Sequence, residues 1–280
     1  MKIKILADST CDLSKDLIEK YDIAIARLTV VKADEQFTDG LDIVPADIFS
    51  HVAAGGSLCS TAACSIGQYQ DLFSEYSKDY DALIHVNISS EFSACYQNAR
   101  LAAAEFDNVY VVDSRNLSTG HGLVVLEACR LATSCDNINE IVEKLNAYTE
   151  RIEASFILDR LDYMVKGGRC SSAAALGANL LNLKPCIEVK NGKMSVVKKY
   201  RGPYAKCLVN YVKDRLAERE DICAEEVFIT HTPVDDTALA AVRDAVDTYG
   251  NFKTVYETEA GCTVSCHCGP GTLGVLFVRK

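Results

Sequence analysis

Hydroxyl side chains directly follow a short apolar run in residues 82–86, and they are the feature of this chain best suited to chemistry. Ser89, Ser90 and Ser93 come between that run and a helical pattern. A strand, a small polar loop and a helix N-terminus form a common anion site, because unpaired N–H groups and the positive end of the helix dipole point at the ligand. The loop contains no Lys, no Arg and no glycine-rich cradle. Neutral donors of this kind favour a single carboxylate over a triphosphate.

Hydroxyl side chains also lie at two other predicted strand ends, at Ser9 and Ser114, and in a further small loop that contains Thr61 and Ser65. Thr61 and Ser65 precede a helix predicted over residues 68–77. Each position also has a simpler explanation, since Ser and Thr are common helix N-caps and turn residues. The same alternative holds for the serines of the first loop, so the pattern alone leaves capping and binding both open.

His267 differs from the other histidines because Gly and Pro residues after it predict a tight turn before the final strand. From such a turn an imidazole can point across a cleft. A zinc site with Cys262, Cys266 and Cys268 is the rival interpretation, but these ligands are too close in sequence for a tetrahedral site, and the chain has no C-x-x-C pair. Zinc is therefore the weaker hypothesis.

The motifs of two enzyme classes are missing from the sequence. A serine hydrolase of the α/β type would carry Gly-x-Ser-x-Gly, and a P-loop kinase would carry Gly-x-x-x-x-Gly-Lys-Ser/Thr; neither occurs. A hydrolase or transferase that uses His267 with Ser93 or Cys95 stays open as an alternative.

Two arginines stand out in an acidic chain. Arg169 follows Gly167-Gly168 at a predicted helix break, and Arg201 ends the predicted strand 194–200 in the basic run Lys198-Lys199-Tyr200-Arg201. A solvated cation at a helix end is the simpler explanation for Arg169. Together the positive charges predict a docking patch for a partner.

Composition excludes several classes of function. The 280 residues carry a net charge of −10, which argues against nucleic acid and against an anionic membrane surface. No segment approaches the roughly 20 apolar residues of a membrane span, and the first residues resemble a strand rather than a signal peptide. The 13 cysteines are odd in number and spread along the chain, which indicates reduced thiols and a cytoplasmic protein.

Strand and helix patterns predict two domains. In residues 1–157, short apolar strands alternate with helices, which is typical of a parallel sheet in an α/β/α domain. One of these strands is predicted over residues 23–31. Residues 158–280 contain a hairpin at Asn191-Gly192, a type I′ turn sequence, and strands that predict an α+β domain with a mixed or antiparallel sheet. We expect the ligand to lie between the two domains.

Several of these segments, in this order, resemble the DegV family, and the resemblance covers essentially the whole chain. The segments that carry it are Ala7-Asp8-Ser9-Thr10-Cys11-Asp12-Leu13, Thr61 with Ser65, Ser89-Ser90-Glu91-Phe92-Ser93, Val112-Asp113-Ser114, Lys166-Gly167-Gly168-Arg169, Lys184-Pro185 and His267-Cys268-Gly269-Pro270-Gly271-Thr272.

The resemblance implies a fatty-acid-binding subunit of bacterial fatty acid kinase. It implies that Thr61 and Ser93 bind the carboxyl group of a long-chain fatty acid and that His267 lies close by. A separate ATP-dependent kinase would then form an acyl phosphate for phospholipid synthesis. Arg169 and Arg201 match positions implicated in contact with that kinase.

We therefore predict a non-catalytic, cytoplasmic lipid carrier with a bound fatty acid and no other cofactor or metal. Ser9, Ser89, Ser90 and Ser114 are predicted to support the binding loops, and residues 173–183 are a candidate wall for the acyl chain. A carrier of another lipid or hydrophobic metabolite is the remaining alternative.

Overall fold

Strands and helices alternate along most of the chain in the computed structural model, which describes residues 1–175 and 183–280. Its strands are β1 (Ile3–Asp8), β2 (Ala24–Ala26), β3 (Thr29–Lys32), β4 (Glu35–Thr38), β5 (Ser60–Ala62), β6 (Ala82–Asn87), β7 (Val109–Asp113), β8 (Ile152–Ile157), β9 (Leu183–Lys190), β10 (Lys193–Arg201), β11 (Ile222–His231), β12 (Thr254–Glu259) and β13 (Leu273–Arg279). Its helices are α1 (Lys15–Lys20), α2 (Pro45–Ala53), α3 (Ile66–Tyr76), α4 (Cys95–Ala103), α5 (Ser118–Ser134), α6 (Ile138–Thr149), α7 (Asp162–Gly167), α8 (Ser171–Ala174), α9 (Tyr204–Leu216), α10 (Asp236–Tyr249) and α11 (Cys262–Cys268).

A parallel sheet with the strand order β2-β1-β6-β7 forms the centre of the first lobe. All of its pairings are parallel, which confirms the α/β prediction for this part of the chain. Every residue of β6 is buried, as expected for a parallel strand with both faces covered. The loops after β1, β6 and β7 leave the same edge of the sheet, so the hydroxyl groups predicted there lie on one side of the lobe.

A second, antiparallel sheet with the order β4-β3-β5 also belongs to the first lobe. The prediction of one strand over residues 23–31 was wrong, because the chain leaves the parallel sheet after β2 and enters this small sheet as β3. The apolar run continues through both strands, and periodicity alone does not show a change of sheet. As a consequence, Thr61 lies on strand β5, opposite Val30 of β3, rather than in a loop.

A six-stranded mixed sheet with the order β10-β9-β8-β13-β11-β12 forms the second lobe. Only the β11–β12 pairing is parallel, which confirms the predicted mixed sheet. The predicted hairpin turn is also present: Asn191 and Gly192 have φ of 53° and 79°, as a type I′ turn requires. Ser89 donates a hydrogen bond to the Gly192 carbonyl at 2.9 Å, so the hairpin tip contacts the first lobe.

The division into residues 1–157 and 158–280 stays a prediction, but the sheets assign β8 to the second lobe. This strand pairs with β13, where Ile157 lies opposite Leu273, and with β9. The segment follows α6 just as earlier strands follow their helices, so the local pattern does not reveal which sheet it joins.

Helix α5 lies between the two large sheets and connects them. Most of its residues are buried, including Thr119 and His121. Thr119 Oγ1 lies 2.6 Å from Thr230 Oγ1 of β11, and His121 Nε2 lies 2.9 Å from the Val86 carbonyl oxygen of β6. One hydrophobic core therefore contains side chains from both lobes.

The predicted acyl-chain wall, residues 173–183, lies mostly outside the described residues. Its described part comprises the end of the short helix α8, where Ala173 is buried, and the start of β9. Among the helices of the described ranges, none combines the length and the apolar character needed to cross a lipid bilayer.

Candidate functional site

Thr61 and His267 meet where the two lobes face each other. Thr61 Oγ1 of β5 and His267 Nε2 of α11 are 2.8 Å apart and share a hydrogen bond, although 206 residues separate them in the chain. The pairing of β5 with β3 positions the threonine, and helix α11 positions the imidazole. The structure thus brings together two of the three residues predicted to bind a carboxyl group.

The prediction that His267 itself lies in a tight turn was wrong, because His267 lies in the last turn of helix α11. The turn begins two residues later, at Gly269, whose φ is 77°. Helix α11 forms because the first lobe supplies acceptors for its N-terminal N–H groups, and the local sequence gives no sign of those acceptors.

Two buried carboxylates are those acceptors. Asp12 Oδ1 accepts the N–H of Gly261 at 2.9 Å, and Asp39 Oδ1 accepts the N–H of Cys262 at 3.0 Å. Negative charge at a helix N-terminus is stabilising. Ser9 donates to Asp39 Oδ2 at 2.9 Å, so this predicted supporting residue acts on the site through Asp39 and α11.

Asp12 has a raised pKa. Burial raises its pKa to about 7, against the hydrogen bonds that it accepts from Ser118 and Gly261, and the charge of Asp39 raises it further. The anchor of α11 therefore contains a carboxyl group that titrates near neutral pH.

His267 is neutral at physiological pH. Burial, with the nearby positive charge of Arg169, lowers the pKa of its imidazole to about 4. Nδ1 is buried without a hydrogen-bond partner among the described residues. Because unpaired buried N–H groups are rarer than unpaired acceptors, we infer that the proton is on Nε2. Nε2–H then donates to Thr61, and the Thr61 hydroxyl keeps its own proton for a ligand.

A cavity between the lobes opens at this hydrogen bond. Its polar lining residues are Thr61, Ser93, Arg169, Thr263 and His267. The rest of its wall is apolar: Leu28, Ala63, Ile88, Phe92, Leu117, Met164, Met194, Val264 and Cys268. Its volume is about 60 Å³. A lining that is mostly apolar, with a few polar groups, is typical of a small-molecule site.

Ser93, the third residue predicted to bind a carboxyl group, lies in the wall of this cavity. Its hydroxyl also has a local role at the start of α4: Oγ accepts the N–H of Cys95 at 3.2 Å and lies 3.2 Å from Cys95 Sγ. The cap, in which Oγ accepts, is compatible with ligand binding, but the single hydroxyl proton is donated to Cys95 Sγ and would have to leave that sulfur to reach a ligand.

The other predicted supporting serines lie outside the cavity wall. Ser90 is exposed and donates to Asp113 Oδ2 at 2.6 Å, while Ser114 donates to the Asn116 carbonyl at 3.2 Å. Ser89 contacts the hairpin tip. These hydroxyl groups stabilise local turns and one contact between the lobes, which corresponds to the simpler explanation considered above.

Arg169 lies at the rim of the cavity. Its guanidinium donates to the Gly167 carbonyl at 2.6 Å and to the Phe92 carbonyl at 3.3 Å, and these bonds join α7 to the loop of Ser93. Arg201 is the exposed last residue of β10, opposite Leu183. A role for either arginine in contact with a kinase stays a prediction.

Sequence reasoning missed Gly167 as a determinant of the site. A Cβ atom at this position would lie 2.5 Å from His267 Nδ1, so only glycine leaves room for the imidazole. The sequence reasoning also missed Met164, Met194 and Asp39. Nothing in the neighbouring sequence marks a flexible Met side chain or a remote carboxylate as part of a site. The paired glycines Gly167-Gly168, in contrast, could have suggested that another side chain packs closely against the backbone there.

The rival zinc site finds no geometric support in residues 1–175 and 183–280. No group of three or more His, Cys, Asp and Glu side chains in these ranges could hold a metal ion. The imidazole of His267 is instead hydrogen-bonded to Thr61.

Comparison with known sequences relates the whole chain to one family. The family model described as "Uncharacterised protein, DegV family" matches residues 2–280. A DegV domain-containing protein of Clostridium acetobutylicum is 31% identical over 283 residues, which cover 100% of this chain and 99% of the relative. A relative from Caldanaerobacter subterraneus is 30% identical over 283 residues, with the same coverage of both chains.

Solved structures have the same fold. A Thermus thermophilus structure described as "Fatty Acid Binding of a DegV family Protein" has a TM-score of 0.90 and 27% identity, and covers 100% of both chains. A Thermotoga maritima protein described as revealing "fatty acid binding function" has a TM-score of 0.85 and 28% identity, and covers 99% of both chains.

Replacing Gly167 by Ala should displace the His267 imidazole, because the new methyl group would occupy the space of Nδ1. We expect the pKa of His267 to rise from about 4 toward the usual 6.5 as the ring becomes hydrated. NMR titration of the imidazole measures this. Gly67→Ala in α3 is the matched control, since its Cβ would meet only the Ser65 hydroxyl, at 4.0 Å. An unchanged His267 pKa in Gly167→Ala would contradict this packing of Gly167 against the imidazole.

Asp12→Asn should flatten the pH dependence of stability. The native pKa of Asp12, about 7, exceeds the usual 3.8, so its contribution to stability is present below pH 3.8 and is lost as pH rises through 7. A tenfold change in a proton-binding constant corresponds to about 1.4 kcal/mol. We expect the free energy of unfolding, measured by urea denaturation, to fall less between pH 5 and 8 in the variant than in the parent protein. The exposed Asp71→Asn serves as control, and equal slopes in parent and Asp12→Asn would refute the assignment.

Proposed function

Because this chain belongs to the DegV family, we propose that it binds a long-chain fatty acid between its lobes and presents the carboxyl group to a separate ATP-dependent fatty acid kinase. The observation that carries the proposal is the Thr61–His267 hydrogen bond, in the wall of a cavity that is lined mostly by apolar side chains. Ser93 lies in the same wall. The two solved relatives described as fatty-acid-binding support the choice of ligand.

The acyl chain supplies most of the binding free energy in this proposal. A tail of about 14 methylenes offers on the order of 11 kcal/mol at ~0.8 kcal/mol each, before the costs of association. The cavity volume of about 60 Å³ is too small for such a tail, so side chains must move when it enters. Met164 and Met194 suit this role because unbranched thioether side chains repack easily.

Neutral donors orient the carboxyl group. Thr61 and Ser93 would donate hydroxyl protons to it, and the neutral His267 would fix the direction of the Thr61 proton. A buried arginine clamp would form a strong pair and make the carboxylate a weaker nucleophile toward phosphate. Arg169 is exposed and already donates to two carbonyl groups, so it can face the incoming phosphoryl group or the kinase from the rim.

The protein itself has a non-catalytic role in this proposal. A hydrolase that uses Ser93 or Cys95 would need His267 as general base. The pKa of about 4 makes this imidazole a weak base, and Nδ1 has no orienting carboxylate among the described residues. All 13 cysteines are free, which suits the reducing cytoplasm where ATP is available.

Solvent extraction and mass spectrometry of the protein from a heterologous host test the ligand. A stoichiometric long-chain fatty acid is expected. A different stoichiometric lipid would replace the fatty acid in the proposal. Turnover of a generic ester that His267→Ala abolishes would contradict the non-catalytic role.

Thr61→Val and Ser93→Ala should each weaken palmitate binding about threefold to tenfold, the effect of one lost hydrogen bond. Calorimetry on delipidated protein measures the affinity. Thr248→Val, at an exposed position of α10, is the matched control. The free energy of unfolding should fall by only about 1 kcal/mol in Ser93→Ala, because the bond from the Cys95 N–H is lost, while acyl phosphate formation with the cognate kinase falls far more. Equal affinity of the parent for palmitate and 1-hexadecanol would contradict carboxyl recognition.

Arg169→Ala and Arg201→Ala should slow acyl phosphate formation by the kinase and leave palmitate affinity within about twofold, because a cation outside the buried pocket contributes little to tail burial. Steady-state rates at several concentrations of the carrier measure the effect. Lys213→Ala removes an exposed cation elsewhere and serves as control. Loss of palmitate binding in either arginine variant would argue for a direct role at the carboxyl group instead.

A further inference from the structure

A second cleft between the lobes is rich in arginine. Its volume is about 330 Å³, and it shares no lining residue with the cavity of Thr61 and His267. Most of its lining side chains are charged or polar, in contrast to the apolar wall of that cavity. Its five cations are Arg115, Lys190, Arg215, Arg219 and Arg279. These five residues define what we call the arginine cleft.

Two of the five cations are neutralised by carboxylates of the protein itself. Arg215 Nη2 lies 3.0 Å from Glu153 Oε1 and 2.8 Å from Glu188 Oε2. Arg219 lies 2.6 Å from Glu153 Oε1 and 2.6 Å from Asp221 Oδ2. These ion pairs join α9 and the residues after it to β8 and β9. Arg215 and Arg219 are therefore explained by packing, without any ligand.

The other three cations lack such partners in the described part of the chain. Arg115 Nη1 is 3.9 Å from Glu150 Oε1, which is beyond hydrogen-bond distance. Arg279 Nη2 donates to the main-chain carbonyl of Glu150, at 2.7 Å, and not to a carboxylate. Lys190 is the exposed last residue of β9 and forms no ion pair with a described residue. Three positive charges thus face one exposed carboxylate, so an anion would neutralise this part of the cleft.

Arg115 and Arg279 approach Glu150 from different lobes. Arg115 follows β7 of the first lobe, and Arg279 is the last residue of β13 in the second. Arg115 has a φ of 51°, a left-handed conformation that non-glycine residues rarely adopt, and its N–H donates to Asp113 Oδ1 at 2.8 Å. Strained residues of this kind cluster at ligand sites. Because both guanidinium groups lie beside one residue, a small molecule in the cleft can contact both lobes.

The donors and the size of the cleft indicate the class of ligand. A guanidinium group donates paired hydrogen bonds to a carboxylate or a phosphate. Three cations without carboxylate partners favour the dianion of a phosphate monoester over a single carboxylate. A volume of about 330 Å³ lies in the range of small-molecule sites and is larger than inorganic phosphate needs. Asn116, Thr149 and Asn191 also line the cleft, and such uncharged polar side chains suit a polar organic part.

We propose that the arginine cleft binds the phosphate monoester of a small polar molecule, with Arg115 and Arg279 on the phosphate and Lys190 adding charge at the rim. This site is separate from the fatty acid site proposed above and does not depend on it. The ester is a soluble molecule rather than a lipid headgroup, because an anionic membrane repels a chain with a net charge of −10.

Ribose 5-phosphate is the probe, since ribose and inorganic phosphate represent its two parts. Calorimetry on the full chain at low salt should detect binding of ribose 5-phosphate, which should weaken as salt is added. Inorganic phosphate should bind more weakly, and ribose should not bind. Ribose 5-phosphate should also raise the unfolding temperature, as any ligand of the native state does. Absence of binding, or equal affinity for the ester and either of its parts, would overturn the proposal.

Arg115→Ala and Arg279→Ala should each weaken binding of ribose 5-phosphate about tenfold or more, the effect of a lost hydrogen bond between charged groups. Arg115→Lys keeps the charge without the paired donors and should lose less affinity than Arg115→Ala. Lys213→Ala, an exposed cation of α9 outside the cleft, should bind like the parent. Thermal unfolding without ligand checks that each variant is folded. Parental affinity in both folded alanine variants would refute the assignment of the site.

Flotation with vesicles of phosphatidylcholine and phosphatidic acid distinguishes a soluble ester from a lipid headgroup. We expect the protein to stay in the soluble fraction. Flotation that Arg115→Ala abolishes would overturn the choice of a soluble ester and assign the cleft to a headgroup.

Discussion

The buried carboxylates of Asp12 and Asp39 accept the first N–H groups of helix α11, and the position of His267 depends on these bonds. Helix α11 is short, and a helix of this length is not stable alone. The carboxylates come from the first lobe, so they fix the helix and its imidazole relative to Thr61. The contact at 2.8 Å between Thr61 and His267 is a consequence of this anchor. The geometry of the site therefore follows from two hydrogen-bond acceptors placed at a helix N-terminus across the interface of the lobes.

In the proposed function, the site separates two tasks that a fatty acid imposes on a protein. Apolar side chains, among them the adaptable Met164 and Met194, line most of the cavity, and Thr61, Ser93 and His267 are among its uncharged polar groups. Burial keeps His267 neutral, and Arg169 carries its charge at the rim. A carboxyl group held by such neutral donors would retain its reactivity, which suits the proposed carrier role. In the proposed function, the two methionines would reconcile the small cavity with a long ligand, because unbranched thioether side chains repack easily.

Most of the local structure could be predicted from the sequence. Ser14 accepts a hydrogen bond from Leu17 N–H at the start of α1, and Asn191-Gly192 forms the expected turn, because such features depend on residues close in sequence. The errors concern pairing over long distances. The apolar segment over residues 23–31 is divided between two sheets, and β8 joins the second sheet, since periodicity reports the conformation of a segment and not its neighbours.

The sequence by itself determined which kinds of groups the site contains. Hydroxyl groups at strand ends, one histidine near the last strand and the absence of cations from both hydroxyl loops all follow from residue order. Only the tertiary structure decided which of these groups meet. It placed Thr61 and Ser93 in one cavity wall, left Ser90 and Ser114 to local turns, and lowered the pKa of His267 by burial. Distances between remote residues and the loss of solvent are properties of the packed chain, so no local pattern contains them.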